Sequence, residues 1–221
     1  MADSVVFDTP YGAVSGLVQG PDTADGLVVL APGAGAPMTH VFMEHVAAGL
    51  ADRGLRVVRF NFVYMEIGRR SPDRQPVLEE TFRSVLSFLS DEARGRRVIV
   101  GGKSMGGRIA SHVVAAGLAA DGLLFFGYPL HPPGRPEKLR DVHLYDIATP
   151  MLFVEGTRDS FCPLDTLEKV RSKLTARNDV AVIEDGDHSF RVRKSSRRST
   201  EEAWTEAVDR AAEWSSRLSP H

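Results

Sequence analysis

The chain of 221 residues is 43% hydrophobic and 25% charged, values that suit a folded domain with a substantial core and exclude a disordered chain. Its net charge of −2 gives no global attraction to nucleic acid or to an anionic membrane. The single cysteine, Cys162, excludes an intrachain disulfide, and the first residues lack the basic segment and apolar run of a signal peptide, so a cytoplasmic protein is expected.

No stretch reaches the length of a membrane span, and no repeat or linker divides the chain, so residues 1–221 are expected to form one domain. Residues 4–7 and 12–19 read as short strands around a turn at Thr9-Pro10-Tyr11-Gly12. Residues 27–31 are a continuous apolar run, the pattern of a strand buried on both faces. The Gly/Pro-rich stretch 32–37 then breaks regular structure. Thr39 is placed to cap a helix carrying Phe42, Val46 and Leu50, which stops at Gly54. Residues 56–60 form the next strand, and 61–76 reads as a long irregular loop. A helix follows with Leu78, Phe82, Val85, Leu86 and Leu89 on one face.

Residues 98–102 run from a β-branched strand into a Gly-x-Ser-x-Gly turn centred on Ser104, and 108–116 continues as a helix. That context is the form of a nucleophile elbow, in which Gly102 and Gly106 relieve a turn too tight for side chains. Lys103 invites a P-loop reading, which fails because Arg97 stands where the first glycine is needed. A plain glycine-rich strand-to-helix turn is the alternative. Further strands are expected at 122–126, 150–156 and 180–183. Pro163 suits the first turn of a helix with Leu164, Leu167, Val170 and Leu174. A closing helix starts at Ser199 with Glu202 placed for a capping box, burying Trp204, Val208, Ala211 and Leu218.

Strands alternating with helices imply a mostly parallel sheet covered on both faces, with ligands beyond the carboxyl ends of its strands. The loops 32–37, 61–76, 102–106, 156–160 and 185–189 start there. A serine needs a base to become a nucleophile. His188 follows the last strand and Asp159 the one before it, giving the order serine, acid, histidine. His188 is the candidate base and Asp159 the candidate acid that orients it. Asp185, Asp187 and Asp165 are rival acids: the first two stand too close to His188 in sequence to turn to it, and the third suits a helix's first turn. Candidate oxyanion donors are the amides of Met105 and Ala34.

These motifs together resemble the α/β-hydrolase superfamily over nearly the whole chain. The segments at 102–108, 32–35 and 127–134 look like the KANL/Tex branch of small, uncapped, dienelactone-hydrolase-like members. The resemblance implies an α/β-hydrolase fold with a sheet of about seven to eight strands and little or no cap. It implies a serine hydrolase acting on a small-molecule ester or thioester without metal or organic cofactor. Serine replaces the cysteine of dienelactone hydrolases, so lactone hydrolysis is not implied. Pro32 stands where many esterases have histidine. The alternatives are a peptidase of the same fold and a non-catalytic interaction protein on the same frame.

The segments 61–76 and 127–149 are the ones available to roof the site, so a shallow pocket with walls from 64–70 and 128–131 is expected. Tyr64, Met65, Tyr128 and His131 are the candidate substrate-binding residues. His40 and His45 are spaced poorly for a shared metal. The basic run Arg191, Arg193, Lys194, Arg197 and Arg198 reads first as a solvated loop, as do Arg69, Arg70 and Arg74, so no nucleic-acid or membrane partner is expected.

Overall fold

The computed structural model describes residues 2–219. Strands β1 (Asp3–Phe7), β2 (Val14–Gln19), β3 (Gly26–Ala31), β4 (Arg56–Phe60), β5 (Arg97–Lys103), β6 (Gly122–Phe126), β7 (Met151–Gly156) and β8 (Asn178–Ile183) form one sheet in the order β1-β2-β4-β3-β5-β6-β7-β8. β1 pairs antiparallel with β2 and β2 antiparallel with β4; the pairings from β4 to β8 are parallel. The chain leaves β3 for β4 on one side and returns to β5 on the other. That reversal opens a crevice at the carboxyl ends of β3 and β5, where such sheets bind ligands.

Side-chain alternation divides the apolar runs between two cores. Leu27, Val29 and Ala31 of β3 face one side, with Phe125 and Phe153; Val28 and Leu30 face the other, with Leu124 and Val154. Helices α3 (Gln75–Phe88), α5 (Met105–Ala115) and α6 (Leu164–Arg171) cover the first core with Phe82, Ile109 and Leu167. Helices α1 (Val41–Asp52) and α7 (Thr200–Ser216) cover the second with Phe42, Val46, Trp204 and Trp214. Each fully buried large apolar side chain contributes about 1.5–3 kcal/mol, which is why these parallel strands carry no polar alternation. The capping box between Ser199 and Glu202 is formed at the start of α7.

Three local expectations are corrected. The cap of α1 is His40, not Thr39: the His40 amide donates to the Pro37 carbonyl at 3.0 Å, closing a turn, and its Nδ1 accepts from the Phe42 amide. Residues 61–76 are not wholly irregular. Val63–Glu66 is a short helix, α2, pinned by the Glu66 carboxylate, which accepts from the Ser15 amide, the Ser15 hydroxyl and Asn61 Nδ2, and α3 begins at Gln75. Pro163 is the cap before α6 rather than a residue of its first turn, because its ψ of 130° is extended. The helical turn Ser90–Ala93, α4, leads into β5.

Candidate active site

Ser104 stands between β5 and α5 with φ 50° and ψ −115°, outside the regions a serine prefers. Such strain costs on the order of 1–3 kcal/mol and persists only when its surroundings enforce it. Here they do: the Ser104 amide donates to the Phe126 carbonyl at 3.0 Å, locking the turn to β6. A Cβ on Gly102 or on Gly106 would each lie 2.1 Å from the Ala31 carbonyl oxygen, so both positions accept only glycine while β3 packs against the elbow.

His188 Nε2 lies 2.9 Å from Ser104 Oγ, and His188 Nδ1 lies 2.6 Å from Asp159 Oδ2. The Asp159 side chain is fully buried and its other oxygen accepts from the Phe161 amide at 2.8 Å. With the carboxylate as acceptor, Nδ1 carries the proton and Nε2 is free to accept from the serine. The two loops that bring these residues together are laced to each other: the Arg158 amide donates to the Gly186 carbonyl and the Asp185 amide to Thr157 Oγ1. The rival acids are engaged elsewhere. Asp187 accepts from the Ser189 and Arg191 amides, Asp185 pairs with Arg158 and Arg193, and Asp165 accepts from the Thr166 amide.

Ser104, Ala34 and Met105 line one cavity of about 550 Å³. A Cβ on Gly33 would be 3.7 Å from the Ser104 Cβ, so the loop after β3 lies directly against the elbow. The Ala34 amide has no hydrogen-bond partner among the described residues, and Met105 is the first residue of α5, where amides lack intrahelical acceptors.

Of the expected wall residues, His131 lines the cavity, with Nδ1 against the Pro132 carbonyl. Tyr64, Met65 and Tyr128 do not line it, which corrects the expectation. Tyr64 is fully buried, and its hydroxyl accepts from the Gly35 amide at 3.1 Å, so it supports the loop of Ala34 from inside. Met65 packs against the core, and Tyr128 is buried beside Ser111 and His143. The walls come from Pro72, Gln75 and Leu78 rather than 64–70, and from Pro129, His131 and Arg140. The reason is the Glu66 anchor, which turns Val63–Glu66 toward β2 and leaves 72–78 facing the crevice.

Lys103 also lines the cavity, and its Nζ is buried without a hydrogen-bond partner among the described residues, 5.6 Å from the Phe190 ring centroid. Burial pulls its pKa down to about 8, partly offset by Asp159, Glu155 and Asp187. Burial, with the Asp159 charge, pushes the Glu155 carboxyl well up, and burial likewise raises the Cys162 thiol, so Cys162 is no thiolate nucleophile. Sequence reasoning missed Arg108 and Arg140, which also line the cavity. Arg108 had a signal, since four residues after Ser104 places it on the same helix face. Arg140 had none.

Of the weaker candidates, His40 also lines the cavity, and others are engaged elsewhere. His45 contacts Thr205, Arg69 pairs with Asp73, and Arg198 pairs with Glu206. Among the described residues no group of three or more His, Cys, Asp or Glu could hold a metal ion, and no helix is long and apolar enough to cross a membrane.

The fold has many solved counterparts. A dienelactone hydrolase from Anabaena variabilis is 19% identical, superposes with a TM-score of 0.79, and is matched over 99% of this chain and 98% of its own. An α/β serine hydrolase homologue from Coxiella burnetii is 17% identical with a TM-score of 0.76, matched over 96% of each chain. A serine hydrolase without lid from Xanthomonas campestris is 18% identical with a TM-score of 0.71, matched over 95% and 94%. At these identities the likeness is one of fold. The sequence itself matches the α/β hydrolase domain over residues 24–216, and the chain therefore belongs to the α/β-hydrolase family.

Proposed function

We propose that this protein hydrolyses small esters or thioesters through an acyl-enzyme on Ser104. The observation that carries the reading is one continuous hydrogen-bonded chain from Ser104 through His188 to Asp159, opening on the cavity that Ala34 and Met105 also line. Ser104 Oγ attacks the carbonyl carbon as His188 Nε2 takes its proton, and Asp159 stabilises the imidazolium. The oxyanion is held by the amides of Ala34 and Met105. His188 then protonates the leaving oxygen or sulfur. In the second half, His188 takes a proton from water, the hydroxide attacks the acyl-enzyme, and Ser104 leaves with the proton. No step requires a metal or an organic cofactor. Short acyl groups suit a cavity of about 550 Å³ with Pro72, Leu78 and Pro129 at its edges.

A fluorophosphonate probe tests this. Labelling is expected on Ser104, together with turnover of short p-nitrophenyl esters, and Ser104→Ala loses both. Pure folded protein that neither reacts with the probe nor turns over any ester or acyl thioester would leave the non-catalytic reading in its place.

A further inference from the structure

The Ser104 cavity holds two guanidinium groups without a counter-ion. Arg108 lies one helical turn beyond the elbow, its amide donating to the Ser104 carbonyl at 3.1 Å, and Arg140 comes from the loop after β6. Among the described residues neither makes an ion pair. Arg108 Nη1 contacts only neutral groups, Gln75 Oε1 at 3.1 Å and His112 Nε2 at 3.3 Å, and its Nε is buried without a partner. The Arg140 guanidinium makes no hydrogen bond among the described residues; only its backbone is engaged, the amide donating to the Leu130 carbonyl and the carbonyl accepting from the Tyr128 hydroxyl.

The surroundings do not neutralise this charge. Glu79 acts on Arg108 through space and raises its pKa slightly, but it makes no ion pair with it and bonds instead to Gln75, whose Nε2 donates to it at 2.7 Å. Asp73 lines the same cavity with Oδ1 paired to Arg69 and Oδ2 buried without a partner among the described residues, but it makes no ion pair with Arg108 or Arg140, and Asp141 accepts from the Tyr145 hydroxyl. His112 and His143 stack at 3.7 Å behind Arg108. Both are held neutral, His112 by burial and the charge of Arg108, His143 by burial and then His112 and Arg108, down to about 3. Burial also lowers both guanidinium pKa values, and the Arg140 charge lowers that of Arg108 further. Two half-desolvated cations facing one cavity are costly unless a ligand supplies the anion. The planar fork of a guanidinium matches a carboxylate or phosphate in two parallel hydrogen bonds.

We propose that Arg108 and Arg140 form an anion subsite, and that the substrate is an ester or thioester bearing a carboxylate or phosphate about one helical turn from the scissile carbonyl. This rests on the hydrolase reading above for the chemistry at Ser104. The anion belongs either to the acyl group or to the leaving group, and the chemistry of recognition is the same.

Two matched pairs separate these sources. p-Nitrophenyl hemiglutarate and p-nitrophenyl pentanoate carry acyl chains of equal length, with and without a carboxylate. Pentanoyl-CoA and pentanoyl-pantetheine share the thioester and its pantetheine arm and differ in the phosphorylated adenosine of the leaving group. In one pair the anionic member is expected to have at least about tenfold higher kcat/KM, with the uncatalysed rate subtracted. Arg140→Gln and Arg108→Gln each bring that ratio toward one, and salt at about 0.5 M weakens it. Arg94→Gln, on the exposed turn before β5, leaves the ratio where it was. Calorimetry with glutarate and with inorganic phosphate reads the subsite without turnover, and binding is expected to be lost in Arg140→Gln. A protein that hydrolyses the neutral esters but shows no anionic preference in either pair, or keeps it in Arg140→Gln, overturns the subsite alone. Anion binding that depends on Arg140 in a protein with no turnover overturns the hydrolase reading and keeps the subsite. Neither binding nor turnover overturns both.

Discussion

The Tyr64 hydroxyl accepts a hydrogen bond from the Gly35 amide at 3.1 Å, from a side chain with no exposure to solvent. The next amide back along the chain, that of Ala34, is a proposed oxyanion donor, so a core residue sets the position of a catalytic one. Tyr64→Phe removes that bond without changing shape, at a cost of about 0.5–1.5 kcal/mol to stability. Its turnover is expected to fall about tenfold, less than the 10²–10³ for deleting an oxyanion donor outright, with KM for a short ester little changed. An unchanged kcat in a folded Tyr64→Phe protein would contradict this role.

The link between Asp159 and His188 predicts a loss out of proportion to its structural cost. Asp159→Asn keeps the volume and the acceptor for the Phe161 amide, but its nitrogen cannot accept from His188 Nδ1, so the wrong tautomer is favoured. Turnover should drop on the order of 10⁴. Combining it with Ser104→Ala should add almost nothing, because the residues act as one unit. Steady-state rates of the single and double variants measure this.

Gly106 predicts a coupled loss of fold and labelling. A side chain there would meet the Ala31 carbonyl oxygen at 2.1 Å and the Pro32 carbonyl oxygen at 2.7 Å, both rigid backbone atoms. Gly106→Val should destabilise by about 3 kcal/mol, within the range of overpacking or above it. For a chain this long that lowers Tm by about 6–12 °C. Scanning calorimetry with probe labelling on the same sample tests whether the elbow opens as stability falls.

Lys103 predicts a stability difference that depends on pH. Its folded pKa is lowered from 10.5 to about 8, chiefly by burial. Between those values the unfolded chain binds more protons than the folded one, so stability rises with pH across that window. Below about pH 8 the cost of burying the charge is present in full. Lys103→Met should therefore be more stable than the parent at pH 7, by up to about 3 kcal/mol. The gap should close as pH rises from about 8 to about 10.5. Denaturant midpoints across pH 7–11 check it; a gap constant with pH would mean that folding does not shift the Lys103 pKa.

Much of the frame was legible in the chain because short-range sterics decide it. The continuous apolar runs of β3 and β6, the glycines flanking Ser104 and the Ser199–Glu202 capping box are set by residues within a turn or two of each other. Chain order also placed Ser104, Asp159 and His188 beyond the ends of separate strands, and a parallel sheet aligns all such ends on one edge. Tertiary structure alone decided which side chains of the intervening loops face the crevice. Tyr64 turned inward because Glu66 is held by Ser15, 51 residues earlier in the chain, and Arg140 met Arg108 only after the loop from β6 folded back over α5. Side-chain direction in a loop depends on which distant element offers the better partner, and no local pattern records that choice.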